Sequence, residues 1–248
     1  MAIETVFLDA GGVLVFPNWN RVSRTLAAHG VQVSADALAR AEPIAKKSID
    51  VADTITTTND HGRGWLYFNL ILEQAGVPAS PAIDRALAEL YEYHAAENLW
   101  EFVPPDVEPA LARLRALGLR LVVVSNANGR LRRLFARVGL ADQVDVLLDS
   151  SEEGVEKPDP KLFEIALQRS RGRPETTVHV GDLYHVDVVG ARAAGLGAVL
   201  FDAAGLYAGC DCPRIRALGE LAALVSTGMD LRSARWAAAA AKNPTNHA

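Results

Sequence analysis

The sequence predicts an α/β fold: a doubly wound parallel sheet with a helical domain inserted into it. Three observations carry this. Five short apolar runs are rich in β-branched residues and end in turn signals. Helical patterns separate the later runs, as in a sheet covered on both faces. A long stretch after the first run shows helical periodicity and no convincing strand.

The strands read as Thr5–Leu8, Leu119–Val124, Val144–Leu148, Thr177–Val180 and Ala198–Phe201. The helices of the sheet region read as Val107–Ala116, Arg130–Val138, Pro160–Arg169 and Val186–Ala194. In the inserted stretch, Arg21–His29 repeats apolar residues at helix spacing, and Ala35–Ser48 follows Ser34, an N-cap residue type. Trp65–Ala75 stops at Gly76, a C-cap signal, and Pro81–Leu99 opens with proline in its first turn. Residues 1–16 and 104–228 therefore form the α/β core, 17–103 a helical cap over the strand ends, and 229–248 a C-terminal tail. The alanine-rich Ser233–Lys242 suits a short helix within that tail. Hinges are expected near Val15–Pro17 and Phe102–Pro105, where cap motion would admit substrate and exclude water.

Within the cap, the polar, glycine-containing segment from Thr56 to Trp65 reads as a loop facing the cleft. Trp19, Asn20 and Arg24 lie just after the first strand and are also candidates to face it. Trp19 and Trp65 are expected to pack the cap's own core instead.

The chain has 248 residues, half of them apolar, which suits one large domain or a core with a smaller companion. A net charge of −5 without a basic block argues against nucleic acid as a partner. No apolar run reaches transmembrane length and the chain begins directly with a strand, so a cytoplasmic protein with no membrane partner is expected, as monomer or homodimer. Cys210 and Cys212 are too few for a disulfide framework or a four-ligand zinc site.

Four strand ends carry polar residues, and in a parallel sheet these share one edge. The first strand ends at Asp9, in Ala10-Gly11-Gly12-Val13-Leu14. The second ends in Ser125-Asn126, the third precedes Glu156-Lys157-Pro158, and the fourth ends in Gly181-Asp182, with Asp187 five residues on. A carboxylate at Asp9 can attack phosphorus and become an aspartyl-phosphate. Asp9, Asp182 and Asp187 offer oxygen ligands suited to Mg²⁺. Ser125 and the backbone amides after Asp9 can bond phosphoryl oxygens, and Lys157 can neutralise charge on the nucleophile and the transferring group.

In these four motifs the chain resembles the haloacid dehalogenase-like hydrolase superfamily, from about Ile3 to Leu224, including the helical cap after the first motif. The resemblance implies a Rossmann-like core and the hydrolysis of a small phosphorylated substrate. It implies that Asp9 is the nucleophile, that Ser125 and Lys157 bind phosphate, with Gly11, Gly12 and Asn126 beside them, and that Asp9, Asp182, Asp187 and the Gly11 carbonyl hold Mg²⁺.

One position departs from the pattern. Phosphatases of this family usually carry aspartate where this chain has Gly11, and it protonates the leaving oxygen and then activates water. Losing such a group costs about 10²–10⁴ in rate. Val13 likewise stands where threonine is commoner. Four readings follow. A phosphatase whose cap supplies the acid, from Asp60, His61 or His94, or whose substrate needs none, fits the retained acidic pair. A 2-haloacid dehalogenase needs no acid because halide leaves unprotonated, with Arg40 in the cap region where that branch uses arginine. A phosphonate hydrolase would use a cap lysine, with Lys46 and Lys47 in the region although adjacent lysines are usually solvated. A binding module would keep the fold and lose turnover.

Overall fold

The computed structural model describes residues 2–58, 60–228 and 231–232. Six parallel strands form one sheet: β1 (Thr5–Leu8), β2 (Arg120–Ser125), β3 (Val146–Asp149), β4 (Thr177–Gly181), β5 (Gly197–Phe201) and β6 (Arg214–Ile215), in the order β3-β2-β1-β4-β5-β6. The sheet is wound in both directions from β1, which lies between β2 and β4. The five predicted strands are present with boundaries moved by up to two residues. The sixth was not predicted, because a two-residue strand carries no readable alternation.

The helices are α1 (Trp19–Ala28), α2 (Ala35–Ile49), α3 (Ala52–Thr57), α4 (Asp60–Gln74), α5 (Pro81–Glu97), α6 (Val107–Ala116), α7 (Leu131–Arg137), α8 (Ser150–Glu153), α9 (Pro160–Ser170), α10 (Val189–Ala193) and α11 (Glu220–Ser226). Successive strand residues point to opposite faces, and the core divides accordingly. Val6, Leu8, Leu121, Val123, Val178 and Val180 pack with Leu111 and Leu114 of α6, Leu134 and Phe135 of α7 and Leu221 of α11. Phe7, Val122, Val124, Ala198 and Leu200 pack with Leu162, Phe163 and Ala166 of α9 and Ala191 of α10. Burial on both faces explains why these strands read as continuous apolar runs.

Helices α1, α2, α4 and α5 have their own apolar cluster, including Val22, Leu26, Leu38, Phe68, Ile71 and Leu87. Ser34 and Ser80 accept from the Ala37 and Ile83 amides, as N-caps of α2 and α5. Trp19 packs edge-on against Phe68, at 6.3 Å between centroids, as expected of a core aromatic. The chain enters and leaves this layer side by side: Phe16 and Phe102 exchange backbone hydrogen bonds of 2.8 and 3.0 Å.

Two predicted elements differ from the structure. The expected loop Thr56–Trp65 is mostly helical, covered by the end of α3 and the start of α4. The Thr56 and Thr57 hydroxyls donate back to the carbonyls of Ala52 and Asp53, which suits a helical turn. Gly64 permits close packing rather than a turn, since a β-carbon there would lie 3.2 Å from the Tyr91 hydroxyl on α5. The predicted helix Val186–Ala194 is instead a wide π-turn over Tyr184–Val188 followed by α10. Leu183 sits just before that turn, where its amide is taken by the Asp187 carboxylate. The predicted tail helix Ser233–Lys242 and the side chains of Asp60, His61 and Trp65 lie outside the described residues. Among the described residues no helix is long and apolar enough to cross a membrane.

Candidate active site

The site is assembled by the sheet's register. Leu8, the last residue of β1, stands opposite Val123 of β2 and Val180 of β4. Asp9, Ser125 and Asp182 therefore leave the sheet together at its carboxyl edge. The Asp9 carboxylate accepts from its neighbour's amide (Ala10 N to Oδ1, 2.7 Å) and from Ser125 Oγ (2.7 Å). Its other oxygen lies 2.9 Å from Lys157 Nζ.

The turn after Asp9 is tied by the Leu14 and Val15 amides, both donating to the Ala10 carbonyl at 2.9 Å. The Gly12 amide turns back to the Val15 carbonyl at 2.9 Å. Gly12 thus serves the site chiefly by lacking a side chain. Its φ is +77°, and a β-carbon there would sit 1.9 Å from Asp182 Oδ2. At Gly11 a β-carbon would meet only the Trp100 indole, at 3.5 Å. Trp100 therefore lies directly beside the Gly11 backbone.

Lys157 is fully buried, and its ammonium bridges Asp9 and Asp187, the latter at 2.7 Å. Asn126 holds the Lys157 backbone from both sides: its Oδ1 accepts from Lys157 N at 2.7 Å and its Nδ2 donates to Lys157 O at 3.0 Å. Asp187, also fully buried, accepts from Lys157, from His179 Nε2 (2.9 Å) and from the Leu183 amide (3.0 Å).

Charge follows from these contacts. Burial pushes the Asp9 carboxyl up to about 7, against the pull of Lys157. Burial would also raise Asp187, but Lys157 and His179 overcome it and hold that carboxyl well below the usual range. Lys157 is raised because Asp187 and Asp9 outweigh the cost of burying its charge. Burial lowers His179, which favours the neutral ring.

Oxygens of Asp9, Asp182 and Asp187 lie within 4.8 Å of one another. A purely carboxylate donor set is the kind that a hard divalent cation such as Mg²⁺ takes, with water and phosphate completing its shell.

The inserted helices also reach this place, through one of the two lysines that the sequence offered. Lys46 of α2 reaches the Asp182 carboxylate, with Nζ 2.7 Å from Oδ2. It is also paired with Glu42 at 2.8 Å, and Glu42 in turn accepts from the Tyr67 hydroxyl at 2.7 Å. The expectation of a solvated Lys46 is thus corrected, while Lys47 stays exposed with its ammonium 3.7 Å over the Tyr207 ring. A signal existed. Glu42 falls within the buried stripe Leu38, Ala41, Ala45 and Ile49, and Lys46 lies one turn after it. His94 accepts from the Leu99 amide on Nδ1, receives Asn128 Nδ2 on its carbonyl, and lies edge-on to Trp100 at 5.3 Å between centroids. Arg40, Asn20 and Arg24 are exposed.

A second tie between α2 and the core is the buried Asp50. It accepts from the Tyr184 amide (2.6 Å), the His185 amide (2.9 Å) and the Tyr207 hydroxyl (2.6 Å).

The family model for haloacid dehalogenase-like hydrolases matches residues 3–195. The chain belongs to that family. This hydrolase is 35% identical over 177 residues to the haloacid dehalogenase-like hydrolase domain-containing protein 3 of Bos taurus, covering 68% of each chain. It is 34% identical over 151 residues to the ribulose-1,5-bisphosphate 5-phosphatase of Halopiger xanaduensis, covering 60% of this chain and 62% of that one. Among solved structures it resembles a HAD phosphatase from Thermococcus onnurineus, with a TM-score of 0.55 and 25% identity over 90% of this chain and 98% of the other.

Proposed function

We propose that this hydrolase is a Mg²⁺-dependent phosphatase of small phosphorylated metabolites, acting through an aspartyl-phosphate on Asp9. The observation that carries the reading is the retained acidic set, Asp9, Asp182 and Asp187, beside a buried Lys157. A dehalogenase has no need of two further carboxylates next to its nucleophile. The phosphatase names among its relatives, including the ribulose-bisphosphate phosphatase, point the same way.

In this reading residues 17–103 act as a cap over the core formed by 1–16 and 104–228. Asp9, Asp182 and the Gly11 carbonyl would face the cation, with Asp187 completing the acidic set. The bound Mg²⁺ would supply positive charge between the carboxylates and the phosphoryl group. The Asp9 carboxylate attacks phosphorus, the bond to the leaving oxygen breaks, and water then attacks the aspartyl-phosphate to release inorganic phosphate. Ser125 and the Gly11 amide hold phosphoryl oxygens, and Lys157 favours the ionised form of Asp9 against burial and offsets charge in the transition state. Asn126 fixes the backbone that presents Lys157. Gly11 has no proton to give, so esters with good leaving groups react fastest.

The test is phosphate release with and without Mg²⁺ from acetyl phosphate, p-nitrophenyl phosphate and a sugar phosphate panel, with Asp9→Asn beside the parent. Mg²⁺-dependent release that the variant abolishes is expected. Halide release from 2-haloacids with no phosphate release from any ester would replace this reading with a dehalogenase.

A further inference from the structure

Lys46 is paired with a carboxylate of the acidic cluster, Asp182. Its ammonium is 2.7 Å from Asp182 Oδ2 and 2.8 Å from the position a Gly12 β-carbon would take, directly over the turn that follows the nucleophile. It is held there by elements of the inserted helices. Glu42, one helical turn earlier, pairs with the same nitrogen, and the Tyr67 hydroxyl fixes Glu42. The side chain is only 17% exposed, so it is a placed charge and not a surface lysine that happens to touch an aspartate.

A divalent cation binds a carboxylate oxygen at about 2.0–2.1 Å. An ammonium hydrogen-bonded to the same carboxylate would then lie on the order of 4–5 Å from that cation, and two positive charges at that separation in a water-poor site repel. Resting on the reading that Asp9, Asp182 and Asp187 take Mg²⁺, we propose that Lys46 is a tethered competitor for that cation and sets the affinity of the site. In the metal-free protein its ammonium neutralises Asp182. When Mg²⁺ binds, the ammonium leaves Asp182 and stays with Glu42, so occupancy of the metal site is coupled to where α2 sits over the sheet. Lys157 pairs with the other two carboxylates, but Asn126 holds its backbone within the core, so it is not carried on α2 as Lys46 is.

Calorimetry of Mg²⁺ binding to the parent, Lys46→Met and Lys46→Arg separates the cases without any turnover. Binding at least tenfold tighter in Lys46→Met, with Lys46→Arg near the parent, is the expected result. Equal or weaker binding in Lys46→Met overturns the inference and leaves the phosphatase reading in place. Absence of Mg²⁺ binding in both parent and Lys46→Met overturns the metal site itself and this inference with it. Should the methionine variant fail to fold, acetic anhydride labelling of the parent, read by mass spectrometry, decides the matter. Acetylation of Lys46 should rise several-fold on adding Mg²⁺ while that of exposed Lys161 stays constant, and an unchanged Lys46 signal overturns the proposal.

Discussion

Replacing Gly12 by alanine should damage this protein in two separable ways. The residue has φ +77°, a region that costs a residue with a β-carbon about 1–2 kcal/mol. The added carbon would also lie 1.9 Å from Asp182 Oδ2 and 2.8 Å from Lys46 Nζ. Both contacts are with the ends of flexible side chains, so the overlap is relieved when Asp182 turns away, parting it from Lys46. Losing a charge-assisted hydrogen bond in a buried setting costs about 1.5–3 kcal/mol. The total is about 2.5–5 kcal/mol. Gly30 offers a matched control, with φ +83° and nothing within 4 Å of its β-carbon position, so Gly30→Ala should show the backbone cost alone. Urea denaturation of the metal-free proteins at neutral pH measures both. Mg²⁺ calorimetry should show weakened binding only for Gly12→Ala. Equal destabilisation of the two variants, within about 0.5 kcal/mol, would show that the close approach of Gly12 to Asp182 contributes nothing and refute the reasoning.

Three further outcomes are expected. Gly11→Asp should raise turnover of alkyl phosphates by about 10²-fold at most and that of acetyl phosphate far less, since only the former need a proton; steady-state kinetics showing equal gains would count against Gly11 as the missing acid position. Asp50→Ala leaves the Tyr184 and His185 amides and the Tyr207 hydroxyl without their carboxylate; a loss of about 3 kcal/mol in urea unfolding and faster hydrogen exchange over Tyr184–Val188 are expected, and unchanged exchange there would be evidence against the tie between α2 and the core. For pH, the raised Asp9 carboxyl means the metal-free folded protein holds a proton that the unfolded chain has given up, so its contribution to stability is present below about 4 and lost as pH rises to about 7. Asp9→Asn should flatten that part of the stability profile measured by thermal unfolding, and an unaltered slope would place the titration elsewhere.

The sheet is legible because burial on both faces writes β1, β2 and β5 as apolar runs closed by turn residues, while β4 alternates valines with Thr177 and His179. The order of motifs along the chain, with one polar group at each strand end, was enough to place Asp9, Ser125, Lys157 and Asp182 at one edge before any coordinates. Other features were not legible, for two reasons. β6 is held by pairing with β5 and not by any pattern of its own. Lys46 gains its place from a contact with Asp182, 136 residues away, and the local stripe around Glu42 shows only that this face of α2 is buried, not what Lys46 meets. The segment from Thr56 misled because threonine and glycine suggest loops on propensity, whereas here threonine hydroxyls bond within the helix and Gly64 admits the close approach of α5.

The position of β1 in the sheet has a consequence for how the chain is made. Thr5 pairs with Arg120 on one side and with Thr177 on the other, so β1, once synthesised, waits for more than a hundred residues before it finds any neighbour in the sheet. Helices α1, α2, α4 and α5 emerge in that interval, and their shared apolar cluster is built from one another, closer together in sequence than the partners of β1. They can pack while the apolar β1 is still unpaired, which delays the sheet and leaves an exposed edge in the nascent chain. Asp9 acquires its lysine only after residue 157 has been added and Asp187 only thirty residues later, so a truncated chain that has already packed its helices carries no working charge cluster.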